Sequence, residues 1–520
     1  MLVFREGRRV LAGPPLYRTF VLKLRSVGKL SGENLLHLLL EAGELECALA
    51  DAASPVARRI ECATDSLADS LVGGVPLRTS LPLDDSPIPS ELTVSRPEGL
   101  AYYALHPLNY ADAIKSMRLP SHLAVLGIRS IGTTLSAVVA AASRKEGRQA
   151  DRITVRPSGH VWDRTLCFCG DQRQWIAERL RRGAQFVVVD EGPGLSGSSF
   201  LAVGEALVEA GVPVCDILLL GSAEPDVQAL RAPDAAHRWK KFRFVAVPPA
   251  SRIPDGQYFA EGKWREAIPG EWPGSWIPFE RLKFRQRNSL FKFEGLGPYG
   301  SAVLDRARTL ASAGFSPAAE PAGDGFVKYE WLQGTMPLRP STAILDRIAE
   351  YCAWRVCRFA SSAPADLQSM VASNYSTVFS AQFDGDLPLE RIVIPDGKMQ
   401  TYEWLDTGHR VLKFDAVDHG DDHFYPGPTD IAWDLAGAIV EWQLDPAASE
   451  YLLARYTNLS GDRARSRIAA YRLAYALYRY AYCRLAADSL RDNPEEKRLV
   501  RDAERYRAAA RSSLPCYVAA

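Results

Sequence analysis

The stretch "FVVVDEGPGLSGSSFLAVGEALVEAG", Phe186 to Gly211, constrains the fold more than any other part of the chain. Its apolar opening reads as the interior of a strand, and the apolar spacing after Ser198 reads as an amphipathic helix. Between them stand two adjacent carboxylates, Asp190 and Glu191, and then a run of glycines and serines. The polar middle is therefore a strand-to-helix turn, the place where a parallel α/β sheet binds its ligands.

The surrounding sequence repeats the same logic. From Pro97 to about Pro249, short apolar runs such as "HLAVLGI" and "RITVRP" alternate with helical patterns, which predicts βαβ units and a parallel sheet. The first ninety or so residues carry one clear helical stretch, "GENLLHLLLEAGELECALADAA", and read as an appendage to that sheet. A segment rich in Pro, Gly and Trp follows, and beyond it come a hairpin, a helix, another strand and a long helical tail. In that tail the Tyr, Leu and Ala spacing of "RSRIAAYRLAYALYRYAYCRLAADSL" predicts a core face. The expected division is an α/β parallel-sheet domain over 1–250, a linker over 251–280, and an α+β domain with a helical C-terminal lobe over 281–520.

Composition narrows the partners. Lys plus Arg and Asp plus Glu both number 62, so no net field draws the chain to nucleic acid or to an anionic membrane. The nine cysteines are odd in number and scattered, which argues against a disulfide framework or a zinc site and fits a reducing interior. With no secretion signal and no apolar run of spanning length, the expectation is a soluble cytoplasmic protein.

The glycine and serine turn has the chemistry of an anion cradle. Converging backbone N–H groups at Gly194 and Gly197, hydroxyls of Ser196, Ser198 and Ser199, and a helix N-terminus suit a phosphate. Asp190 and Glu191 suit the vicinal hydroxyls of a sugar, directly or beside Mg2+. The bland reading of the same residues is a capped helix with a glycine-rich turn and no ligand.

"VVVDEGPGLSGSS" resembles the fingerprint of the type I phosphoribosyltransferases: an apolar strand, an acidic pair, a short variable run, then a Ser/Thr-Gly loop. The resemblance implies ribose binding by Asp190 and Glu191 and phosphate binding by Ser196, Gly197, Ser198 and Ser199. "LGIRSIGTTLSA", Leu126 to Ala137, resembles that family's pyrophosphate loop and implies diphosphate contacts for Arg129, Ser130 and Gly132. Arg156, His160 and Arg164 fall where the family's mobile loop is expected. Two departures stand out: the run before Ser196 is one residue longer than the family pattern, and Glu191 replaces the commoner Asp. The implied reaction displaces magnesium pyrophosphate from phosphoribosyl pyrophosphate by a nitrogen nucleophile of a small-molecule acceptor, through an oxocarbenium-like transition state.

The second half resembles the aminoglycoside phosphotransferase and choline kinase-like group of the protein-kinase fold. The resemblance rests on Lys292 in a strand before a helix, on "GFVKYEWLQG", and on "VLKFDAVD" followed by "DIAWDLA". It implies ATP phosphates at Lys292, an adenine hinge over Glu330 to Leu338 including Leu332, Mg2+ at Asp415, and a bracing role for Asp434. The catalytic loop departs from the family's His-Gly-Asp with a following Asn: Asp386 and Asp396 are the candidates, and neither brings the Asn. No glycine-rich loop precedes Lys292. Within "DHGDDH", Asp418, His419, Asp421, Asp422 and His423 form a candidate metal cluster, and Asp418 is paired with Asp415 as a magnesium ligand.

Two functions follow as expectations. The first is phosphoribosyl transfer involving a nucleobase-like or other small metabolite, coupled to ATP-dependent phosphorylation by the second half. The second is a nucleotide-binding sensor with a degenerate kinase-like domain.

Overall fold

The computed structural model describes residues 1–26, 32–77, 81–84, 87–248, 252–337, 339–420 and 422–518. They form two compact units: one of Gly7–Ile253 with Gly295–Tyr299, the other of Met1–Glu6, Pro254–Glu294 and Gly300–Ala520.

In the N-terminal unit, β1 (His122–Ile128), β2 (Gln149–Val155), β3 (Gln185–Val189), β4 (Ile217–Gly221) and β5 (Arg243–Ala246) make a parallel sheet of order β2-β1-β3-β4-β5. The apolar runs of β1, β3 and β4 are buried throughout their interiors, as a strand covered on both faces requires. Gly127 of β1 pairs with Val189 of β3, so the loops that follow these strands emerge side by side. Chain order reverses at this point, where such sheets hold ligands.

Helix α1 (Ile131–Lys145) shows why the first ninety residues are more than an appendage. Every residue from Ile131 to Ser143 is buried, so the helix needs cover on the side away from the sheet. Helices Gly32–Asp51 and Ala57–Gly73 supply that cover. Gly43 allows the approach, since a Cβ there would lie 1.9 Å from the Thr134 hydroxyl. Arg152 of β2 is buried with them and reaches Glu46 at 2.7 and 2.8 Å.

The C-terminal unit opens on β6 (Gln257–Tyr258), β7 (Lys283–Gln286), β8 (Ser289–Phe293), β9 (Ala319–Gly323) and β10 (Phe326–Glu330), an antiparallel sheet of order β6-β7-β8-β10-β9. Helices α2 (Thr342–Arg358), α3 (Ala432–Glu441), α4 (Arg465–Ser489) and α5 (Pro494–Val518) build the helical part. Ile348, Trp433, Tyr471 and Tyr475 lie in its core, and the tyrosine face of α4 is buried as its spacing predicts.

Two boundaries differ from the sequence reading. The stretch assigned as a linker is an ordered connection between β6 and β7, tied down at several points. Arg265 pairs with Glu495 of α5 at 2.6 and 2.8 Å, and Trp276 Nε1 donates to Ser489 Oγ at 2.8 Å. Its tryptophans bury too much apolar area to stay in solvent. The first residues of the chain belong to this unit as well: Leu2 exchanges main-chain bonds with the Asn374 amide at 2.7 and 2.9 Å.

Candidate functional site

At the N-terminal turn, Gly197 takes a left-handed conformation, φ 70°, and helix Ser198–Glu209 starts immediately after it. The hydroxyls expected to meet a phosphate are bonded within the protein. Ser196 and Ser198 Oγ lie 2.9 Å apart, Ser198 Oγ donates to the Val161 carbonyl at 3.0 Å, and Arg164 donates to Ser199 Oγ at 2.6 Å. The amide of Gly197 donates to the Pro193 carbonyl at 2.8 Å. Val161 and Arg164 belong to the short hairpin of Ser158–His160 and Asp163–Thr165, which therefore covers the turn. Gly194 is exposed, and so is His160, which accepts the Trp162 N–H at 3.3 Å.

Both carboxyls of the acidic pair are pushed above the ordinary carboxylate range. Burial pushes the half-buried Asp190 up to about 7, against partial relief from neighbouring amides, Arg156 and Arg164. Burial, with Asp190 and Glu98 nearby, pushes Glu191 up to about 8. The Glu191 carboxylate sits against Gly99, where a Cβ would lie 2.4 Å from Oε1. Tyr110 OH holds the main chain of the pair, donating to the Asp190 carbonyl at 2.9 Å.

In the second loop, Ser130 has φ 117°, a strained value for a residue with a Cβ. Gly132 is required by packing rather than by an anion, since a Cβ there would lie 2.5 Å from the Val189 carbonyl. Arg129 and Arg156 converge on an acid that the sequence did not single out: both reach Asp51 Oδ1 at 3.1 Å. A carboxylate of the protein thus holds the guanidiniums assigned to a diphosphate.

The C-terminal unit gathers its charges more densely. Lys292 of β8 is buried; its Nζ pairs with Asp415 and lies 2.9 Å from Asp418 Oδ2 and 3.5 Å from Glu294 Oε1. Burial works to lower this lysine, and the surrounding acids override it, so its value is raised. Burial works to raise Asp415, but Lys292 and His419 hold it well below the usual carboxylate range. Arg281 Nε lies 2.7 Å from Asp418 Oδ2, so Asp418 is given over to cations of the protein. Ligand atoms of Glu403, Asp415 and His419 lie within 4.8 Å of one another, a grouping that could hold a cation.

Asp396 sits where a tightly braced loop requires it. Asp434, at the start of α3, accepts the amides of Asp396 and Gly397 at 2.8 and 3.0 Å, with Arg355 at 3.7 Å behind it. The Asp396 side chain is fully buried, accepts Tyr351 OH at 2.6 Å and lies 3.3 Å from Lys413 Nζ. Lys413 also reaches Glu403 Oε2 at 2.8 Å. Burial raises Glu403 despite that lysine.

The other candidates lie apart from this cluster. Asp386 is exposed and accepts the Leu387 N–H at 2.8 Å. Glu330 ends β10 with an exposed side chain, and Leu332 is half-buried just beyond. Leu338 and Asp421 lie outside the described residues. Asp422 Oδ1 accepts the Phe424 N–H at 2.8 Å and His423 stacks on Phe4 at 5.4 Å, so both serve packing. His419 belongs to the "DHGDDH" cluster that the sequence singles out, whereas Glu403, Glu294, Arg281 and Lys413 carry no such mark in the sequence. The signal for Glu403 is present in "TYEWL", a short way past Asp396, where the resemblance implies an Asn and the chain has a carboxylate.

No family model matches the sequence. No curated protein matches it either. Several solved structures are similar to part of the chain. A choline/ethanolamine kinase family protein from Mesorhizobium loti is 20% identical, with a TM-score of 0.31, over 45% of this chain and 90% of that one. Choline kinase LicA from Streptococcus pneumoniae is 14% identical, with a TM-score of 0.31, over 45% of this chain and 89% of that one. Aminoglycoside 2'-phosphotransferase-IIIa, solved with GDP, is 14% identical, with a TM-score of 0.30, over 47% of this chain and 96% of that one. None of the three is a phosphoribosyltransferase. At TM-scores of 0.30 and 0.31 the overlap supplies no argument about chemistry, which rests on the side chains described above.

Proposed function

We propose that the C-terminal unit binds ATP with a divalent cation and transfers the terminal phosphoryl group to a hydroxyl-bearing small molecule. One observation carries the reading: a buried lysine on the sheet, Lys292, meets Asp415 at the end of a strand that follows the Asp434-braced loop. A nucleotide's phosphates need both signs of charge, a lysine for their oxygens and a carboxylate for the bridging metal. Asp415, with 27% of its side chain exposed, is the most open carboxylate of the cluster and supports the metal role. Asp396 is the residue nearest to serving as base. Calorimetry with ATP and Mg2+, beside phosphate-transfer assays over a panel of amino alcohols and amino sugars, tests the proposal. Absence of ATP binding sinks it.

A second reading, nucleotide sensing without turnover, is favoured by one feature. Asp396 is buried and held by Tyr351 and Lys413, and those contacts must open before it reaches an acceptor hydroxyl. Tight ATP binding with no product across the panel selects this reading.

For the N-terminal unit the reading is a site for a sugar phosphate such as phosphoribosyl pyrophosphate. It is supported by Arg129 and Arg156 side by side at the strand ends. Heat on titration with phosphoribosyl pyrophosphate and Mg2+, lost in Arg129→Ala, is the expected outcome. A silent titration removes this site while leaving the proposal for the C-terminal unit intact.

A further inference from the structure

The carboxylates of the C-terminal cluster divide their oxygens in a regular way. Asp415 gives Oδ1 to Lys292 and turns Oδ2 to His419 Nε2 at 3.1 Å. Glu403 gives Oε2 to Lys413 and keeps Oε1 toward the same nitrogen at 4.0 Å. Each acid is thus held by a lysine through one atom and turns the other toward the same imidazole nitrogen. There the third donor is an imidazole nitrogen, not a third oxygen.

A second observation lies behind the ring. Asp418 Oδ1 is buried with no hydrogen-bond partner among the described residues, and it sits 3.9 Å from His419 Nδ1. The His419–Asp415 contact runs through Nε2, and a neutral ring that donates from Nε2 has no proton on Nδ1. When an imidazole binds metal through Nε2, its proton resides on Nδ1 and is typically given to a carboxylate. An orphaned carboxylate oxygen facing Nδ1 is what that arrangement needs.

We infer that Glu403, Asp415 and His419 form a divalent-cation site that favours a first-row transition metal over Mg2+, with Asp418 orienting the imidazole. All-oxygen sets suit Mg2+, whereas imidazole nitrogen draws Mn2+ and the ions beyond it. The inference rests on the reading above in one respect only, that a cation binds at Asp415.

The test uses the full chain without nucleotide and Mn2+ as probe, because Mn2+ is the weakest binder of its row and so gives the most demanding comparison. Calorimetry is expected to show Mn2+ bound about tenfold or more tighter than Mg2+. Electron spin-echo spectroscopy of the Mn2+ complex is expected to show modulation from a directly bound imidazole nitrogen. In His419→Asn, an oxygen donor of similar reach, that modulation disappears and the preference for Mn2+ collapses. Thermal melting of the variant checks that it is folded. Equal affinity for the two ions, or a wild-type complex without nitrogen modulation, overturns the inference whatever the variant does. Nitrogen-coupled Mn2+ binding without ATP binding removes the proposed function alone; ATP binding with Mg2+ preferred removes this inference alone.

Discussion

At the strand-to-helix turn of the N-terminal unit, polar groups satisfy one another: serine meets serine, Arg164 meets Ser199, and Asp51 meets two arginines. In the C-terminal unit, several acids crowd around two lysines, and at least one buried oxygen is left without a partner. Both centres combine a strand end with acidic residues, and in sequence the N-terminal turn is the more specific match to a phosphate site. The difference lies in what remains for a ligand. A turn whose hydroxyls are already bonded must exchange those bonds to hold an anion, at a cost near their own net worth. A crowded cluster has the opposite problem, and a cation or a phosphate relieves it.

The contrast makes graded predictions. The largest effect is expected from Lys292→Met, which leaves Asp415, Asp418 and Glu294 without their shared cation. Breaking one side of a buried pair costs about 3–5 kcal/mol, readable in a denaturant titration. A loss under about 1 kcal/mol would mean that the cluster is far more solvated than its burial indicates.

Asp51→Asn comes next. Releasing Arg129 and Arg156 from an internal carboxylate is expected to raise affinity for inorganic pyrophosphate about tenfold, or about 1.4 kcal/mol, by calorimetry. No gain would show that these arginines serve structure alone.

Glu191→Gln tests the sign of a titration. The folded carboxyl, raised to about 8 from its ordinary 4.5, keeps a proton that the unfolded chain releases between those values. Stability is therefore expected to fall as pH rises through that window. The Gln variant should show a flatter profile and be more stable than wild type by on the order of 1 kcal/mol above pH 8. Parallel profiles for the two proteins would place the Glu191 carboxyl in solvent.

Ser199→Ala should have the smallest effect. It removes one hydrogen bond to Arg164, worth about 0.5–1.5 kcal/mol. Hydrogen exchange in the hairpin over Ser158–Thr165 should rise while global stability barely changes. Unchanged exchange would detach the hairpin from the turn.

Much of the architecture was legible beforehand. "HLAVLGI" became a strand with the bounds its apolar run suggests, the turn at Asp190 led into a helix, and Lys292 fell in a strand preceding one. Asp434 braces the loop of Asp396, the role that its surroundings in "DIAWDLA" suggested by resemblance. The linker was misread because a Pro, Gly and Trp composition signals irregular backbone and says nothing of what that backbone packs on. Asp51 was invisible for another reason: it lies far along the chain from Arg129, and nothing local marks a helix-end acid as the partner of a distant arginine. Asp415 and Asp418 both reach Lys292, and packing then adds Arg281 to Asp418 and His419 Nε2 to Asp415, partners that their nearness in sequence does not reveal.

Hydrophobic periodicity repeats over a few residues and needs no distant partner to be read. For that reason local pattern alone dictated the parallel sheet, the turn at Asp190 and the buried tyrosine face of α4. Packing alone chose which charges meet. Whether Glu403 faces His419, or Asp51 faces Arg129, depends on side chains from separate elements arriving within a few ångströms, where Coulomb and desolvation energies change steeply with distance.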